Sequence, residues 1–282
     1  MTSYELYVEI RKRLSMLTYL KNIPEHELDF YYSQSNECIN RNAEFDGLLY
    51  KESQGIQFAF YKMLYNASLE KPRLSAIVNF DKNFAFLKQF TRWFNPRVYL
   101  ERYSGQDVVE KTWEDLHYNG FCGFILSLKG DGQLVRQFSQ TMVIGAKYLS
   151  DFSCLDELIA DIKAHSTTRE ELISYFVNKG FSVDFSCRFL NDICPSLDIP
   201  VMCPQIRKIM IIKNKRTKNF YNSNSGKIQL IKDAASTLEE INIELASQGK
   251  KRITLCAFER MIYLSKNGNF YLHKNTAKNS AL

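Results

Sequence analysis

At 282 residues, with 45% hydrophobic and 24% charged side chains, the chain has enough apolar material for one large core or two ordinary ones, which excludes wholesale disorder. No apolar run approaches the roughly 18 residues that cross a bilayer, and the opening MTSYELYVEIRKRL mixes acids and bases where a secretory signal is uniformly apolar, so a cytoplasmic (nucleoid-associated) or nuclear protein with no membrane partner is expected. The formal charge of +6 is mild, so the placement of the charges matters more than their sum.

In chain order, helices are predicted over 3–20, 56–66, 106–117, 153–164, 168–178, 183–194, 204–213, 231–248 and 253–265. Another is expected between Leu134 and Phe152, where Leu134, Phe138, Met142, Ala146 and Leu149 recur at three- and four-residue steps. Ser153 with Asp156, Thr167 with Glu170 and Ser236 with Glu239 have the spacing that opens a helix. LSAIVNF (74–80) and GNFYLH (268–273) read as loops or helix ends; NFYNSNSGK (219–227) and the tail NTAKNSAL read as mobile.

The stretch FLKQFTRWFNPRVYLERY, 86–103, interleaves Phe, Trp and Tyr with Lys88, Arg92, Arg97 and Arg102. Such a mixture suits either stacking on nucleobases, with Trp93 and Phe94 as platforms, or core packing with arginines reaching outward. Farther on, Lys147 sits in the helix before the hairpin described next, as a candidate amine nucleophile or an ordinary surface lysine.

Leu172, Ile173, Phe176 and Val177 close one helix, Asn178, Lys179 and Gly180 form a turn, and Val183, Cys187, Leu190 and Ile193 continue on a second. Backbone N–H groups where the second helix starts would suit an anion such as a DNA phosphate, held at Lys179, Gly180 and Ser182. Beyond Asp198 no acid appears before Asp233, while Arg207, Lys208, Lys213, Lys215, Arg216, Lys218, Lys227 and Lys232 all fall in that interval. Either a polyanionic partner or a solvated basic loop accounts for it.

VNKGFSVDFSCRFLNDI followed by LDIPVMCPQIRKIM resembles the helix–hairpin–helix signature of base-excision DNA glycosylases, in the branch typified by archaeal 8-oxoguanine glycosylases. Phe189, Leu190, Asn191 and Ile193, then Ile199, Pro200, Ile206, Arg207 and Lys208, carry the likeness, which covers about residues 110–265. It implies a mainly α, two-lobed helical bundle that flips the substrate base into the cleft between the lobes. The expected divisions are an N-terminal region 1–105 closing with the C-terminal helices, a helix–hairpin–helix domain 106–230, and helices 231–282 packing back on the first part.

The sequence departs from that pattern at three positions: Ser182 stands where the family has its second hairpin glycine, Asp184 where bifunctional members place their lysine, and Cys203 where the catalytic aspartate belongs. A neutral thiol cannot stabilise the positive charge that develops on the sugar. Asp198 and Asp184 are therefore the candidate carboxylates, beside Lys147 and Cys203, each with a structural alternative. Seven scattered cysteines and four scattered histidines show no metal-ligand spacing, so neither metal nor cofactor is expected.

These readings lead to an N-glycosidic bond hydrolase, a DNA-glycosylase-like enzyme acting as a monomer on damaged or modified bases in duplex DNA, with Arg207, Lys208, Lys213 and Lys215 on its phosphates. The alternatives are a catalytically silent DNA-binding protein on the same scaffold, or a hydrolase of free nucleosides or nucleotides.

Overall fold

The computed structural model describes residues 2–17, 54–103, 107–116, 131–165, 167–201 and 204–267. The described residues are mainly helical, with no strand among them, and they divide into two compact units. One contains the described residues between 54 and 194; the other joins the first helix to everything described after Pro195. The chain passes from one unit to the other between Cys194 and Pro195.

The 54–194 unit holds α2 (Gln54–Ser68), α3 (Pro72–Val78), α4 (Phe84–Phe90), α5 (Pro96–Arg102), α6 (Val108–Asp115), α7 (Asp131–Leu149), α8 (Leu155–Ala164), α9 (Arg169–Asn178) and α10 (Val183–Ile193). Its axis is α7, which contacts α2, α3, α5 and α6. Of the apolar stripe predicted for this helix, Phe138, Met142, Ala146 and Leu149 are buried, joined by Val135 and Val143, while Leu134 is half-buried. Gly145 permits the close approach of α2, since a Cβ there would fall 2.1 Å from the Met63 sulfur.

Leu74–Val78 of LSAIVNF lie in helix α3, whose N1 residue is Pro72 and whose C-cap is Asn79. Pro96 plays the same role in α5, after Asn95 has accepted the N–H groups of Arg97 and Val98. Proline suits a first helical position because its missing N–H would have had no partner there. Between α4 and α5 the backbone turns through Arg92, Trp93 and Phe94, all left-handed at φ 52°, 63° and 54°. Three such residues in succession cost about 1–2 kcal/mol each. Burial of Phe94 among Tyr61, Phe80 and Phe84, 5.4–6.5 Å away ring to ring, offsets that strain.

The second unit comprises α1 (Ser3–Ser15), a single 3-10 turn (Pro195–Leu197), α11 (Pro204–Lys213), α12 (Asn224–Ser247) and α13 (Leu255–Asn267). Thr2 and Glu5 form a reciprocal capping box on α1, whose apolar side, Leu6, Ile10 and Leu14, is buried against α12 and α13. Helix α12 begins seven residues earlier than expected, because Ser223 caps it by accepting the Gly226 N–H. Ser236, expected at its start, lies in mid-helix, and most of NFYNSNSGK is helix or packed turn, with Tyr221 fully buried and bonded to Asp233. The opening of α9 is displaced by one residue in the same way, with Thr168 and Glu171 forming the box.

Candidate functional site

The α9–α10 corner is built by its own backbone. Gly180, at φ 100°, ends α9 in a Schellman-type turn: the Lys179 N–H bonds to Phe176, the Gly180 N–H to Val177 and the Phe181 N–H back to Phe176. Across the turn, the Ser182 hydroxyl oxygen accepts the Phe185 N–H and its proton goes to the Glu70 carboxylate. A carboxylate thus stands at the N-terminus of α10, where the helix dipole favours negative charge. Lys179 lays its ammonium 4.7 and 4.6 Å from the ring centres of Tyr148 and Tyr175. At the phosphate seat expected at Lys179, Gly180 and Ser182, the amides of Lys179, Gly180 and Phe181 are thus taken by internal carbonyls and an acid of the chain stands beside Ser182.

Asp198 is a helix cap. Held at φ 52°, it accepts the N–H groups of Leu255 and Cys256 at 2.8 and 2.9 Å, closing the start of α13, while Glu259 of the same helix accepts the Val201 N–H at 2.6 Å. Asp184 lies partly buried in the first turn of α10 and Lys147 is exposed on α7. Cys203, like GNFYLH and the tail, lies outside the described residues. Among the described residues no group of His, Cys, Asp and Glu could hold a metal ion, and no helix is long and apolar enough to cross a membrane.

Periodicity gives no sign of a polar seam that joins α2 to α10. Lys62 and Asn66, one turn apart on α2, meet Asp192 of α10, which follows Arg188 by one turn. Asn66 donates to Asp192 Oδ2 at 2.8 Å, and the Lys62 ammonium, its side chain 7% exposed, stands 3.8 Å from the same oxygen. Burial raises the Asp192 carboxyl above its ordinary pKa, and the opposing pull of Lys62, Asn66 and Arg188 does not cancel it. Arg188 Nε and one Nη are buried without a hydrogen-bond partner.

The two expected base-stacking residues separate. Trp93 is 61% exposed with the Lys88 ammonium 3.4 Å from its ring centre, whereas Phe94 is wholly buried and has no face left for a base. The basic residues after Asp198 separate too. Arg207 is engaged by the Lys218 carbonyl and the Asn222 side chain, and Lys213 stands 3.8 Å from Glu240. Lys208, Lys215, Arg216 and Lys218 are exposed, and among the described residues none is paired with a carboxylate. Lys208 and Lys218 line a groove of about 480 Å³ together with Pro204, Arg207, Ile211 and Ile212, the last 73% exposed. Arg216 stacks its guanidinium 4.5 Å from the ring centre of the exposed Phe220.

Comparison with family models, curated proteins and solved structures gives no match for this chain. The likeness to helix–hairpin–helix glycosylases therefore rests on the residues quoted for it.

Proposed function

We propose that this chain is a nucleic-acid-binding protein that takes a phosphodiester backbone along α11 and the segment after it. The observation that carries the reading is the run Lys208, Lys215, Arg216 and Lys218, four exposed cations in an acid-free interval, none neutralised by a carboxylate of the described residues. Charge of this kind attracts phosphates, and its release of counterions makes binding fall with salt. The Arg216–Phe220 pair adds a face on which an unpaired base can stack.

The test is a titration of a labelled duplex and its single strand from low to high salt. Four phosphate contacts give a log–log slope of roughly −3 to −4 on duplex, and Lys208→Glu with Lys218→Glu reduces it by about 2. A salt-independent affinity, or one untouched by the double substitution, ends the proposal.

Base excision is the second reading. It is favoured by the Lys62–Asp192 pair, which puts an amine and a carboxyl group 3.8 Å apart in the unit that carries the hairpin. N-glycosidic cleavage draws on both groups, as nucleophile and as charge partner. Base release from duplexes bearing oxidised or alkylated bases, with borohydride trapping on Lys62, supports it. DNA binding with neither release nor trapping leaves the silent, binding-only protein.

A further inference from the structure

The 54–194 unit contains a second concavity, chemically unlike the groove on α11. It measures about 460 Å³ and is lined by Phe86, Gln89 and Phe90 of α4, Arg92 of the left-handed turn, Arg102 of α5 and Asp115 of α6. Phe86 and Phe90 lie with ring centres 5.6 Å apart and planes 27° apart, giving the pocket an aromatic wall. Arg102 lies 5.4 Å from the Phe90 ring centre and 3.3 Å from the Asp115 carboxylate, so its charge is met inside the pocket. The Tyr103 hydroxyl also donates to Asp115, at 2.6 Å.

Arg92 is different. It is exposed, it has no ion pair or side-chain hydrogen bond among the described residues, and it lies in the strained turn that runs through Phe94. Among the described residues the lining therefore carries one unit of positive charge in excess beside a π-surface, with the Gln89 amide able to donate and accept. Its volume falls within the range of small-molecule sites and exceeds what a bare anion needs.

We propose that this pocket binds an aromatic phosphate ester of nucleotide size, the base against Phe86 and the phosphate on Arg92. An offset ring stack and a charge-assisted guanidinium–phosphate bond are the two interactions the lining offers. The site belongs to a different unit of the chain from α11, and it does not depend on the nucleic-acid reading made there.

Isothermal titration calorimetry on the full chain tests it, with the four common nucleoside 5′-monophosphates, a 5′-phosphorylated dinucleotide, an unphosphorylated nucleoside and inorganic phosphate. Arg92→Asn removes the cation while tolerating the left-handed backbone, and Phe86→Leu keeps apolar bulk but removes the ring. Each is expected to weaken monophosphate binding by roughly tenfold. Lys208→Glu with Lys218→Glu leaves it unchanged, so failure here and failure of the α11 proposal give different results. Binding of the monophosphate identifies a free ligand; binding of the dinucleotide alone identifies a strand end, and both support the pocket chemistry. No heat with any phosphorylated probe, equal binding of inorganic phosphate, or affinity indifferent to both substitutions overturns it.

Discussion

The Ser182 hydroxyl donates to the carboxylate of Glu70, 112 residues earlier in the chain. That contact decides what the hairpin corner does. A negatively charged side chain already lies where an anionic ligand would seek the end of α10, and the serine that bonds to it also caps the helix. Ser182→Ala should cost about 1 kcal/mol of stability in urea denaturation. Nucleic-acid affinity measured in parallel should stay unchanged, because the proposed phosphate contacts lie on α11 and the segment after it.

Asp198 belongs to the same class of residue. Asp198→Ala removes the acceptor for two N–H groups of α13 and puts alanine at a left-handed φ, so a loss of about 2 kcal/mol is expected. Asn accepts one of the bonds and adopts positive φ more readily, so Asp198→Asn should fall between alanine and the native protein. Equal losses for the two substitutions would show that capping is not what the aspartate supplies.

Asp192 gives the unfolding free energy a pH dependence of definite sign. Its carboxyl is raised in the folded protein, chiefly by burial, so the folded state holds a proton that the unfolded state has released. The contribution is fully present below the ordinary carboxylate pKa and is lost as pH rises through the raised value. Glu9, Glu157 and Glu171, lowered chiefly by hydrogen bonds to Arg13, Ser153 and Thr167, act oppositely and weaken the fold as pH falls. Denaturant midpoints from about pH 4 to 8 should decline less steeply in Asp192→Asn than in the native chain.

Gly226 has no room for a methyl group. A Cβ there would fall 2.2 Å from the Phe220 carbonyl oxygen and 2.9 Å from the Tyr221 Cα, both backbone atoms that cannot rotate away. Gly226→Ala should cost about 2–3 kcal/mol. Gly249 has nothing near its missing side chain, but at φ 70° its alanine variant should lose only about 1 kcal/mol, through backbone strain. Thermal unfolding of the pair separates crowding from conformation.

Trp93 and Phe94 are adjacent and should behave oppositely. Phe94→Ala empties a buried aromatic site and should cost about 3–5 kcal/mol. Trp93→Ala gives up mostly exposed surface and should alter stability little, within about 0.5 kcal/mol. Comparable losses would contradict the arrangement of the turn.

Most of the helices are legible in the sequence because their apolar residues keep a regular step over ten or more positions, as Phe138, Met142 and Leu149 do in α7. The seven-residue helices α3, α4 and α5 are too short for a period to show. Pro72 and Pro96, each at a first helical position, were the available signal for two of them. The basic character of the segment after Asp198 is equally plain in the sequence, but which cations stay unpaired is not. Arg207 finds its partners 11 and 15 residues on, Lys213 meets an acid of another helix, and Asp198 serves a helix 57 residues away. Local patterning carries no trace of such distant pairings. The Lys62–Asp192 seam escaped for the same reason, since each half looks like an isolated charge on its own helix.

The unit that pairs α1 with α12 and α13 is discontinuous in the chain, and this sets an order of events during synthesis. Leu6, Ile10 and Leu14 are synthesised more than two hundred residues ahead of the helices that cover them. At about 5–20 residues per second, α1 waits on the order of ten seconds or longer with its greasy side uncovered. The stretch from 54 to 194 has its own partners close at hand and can complete while translation continues. A truncated transcript would therefore yield a finished half together with an orphan helix, the kind of exposed surface that chaperones bind.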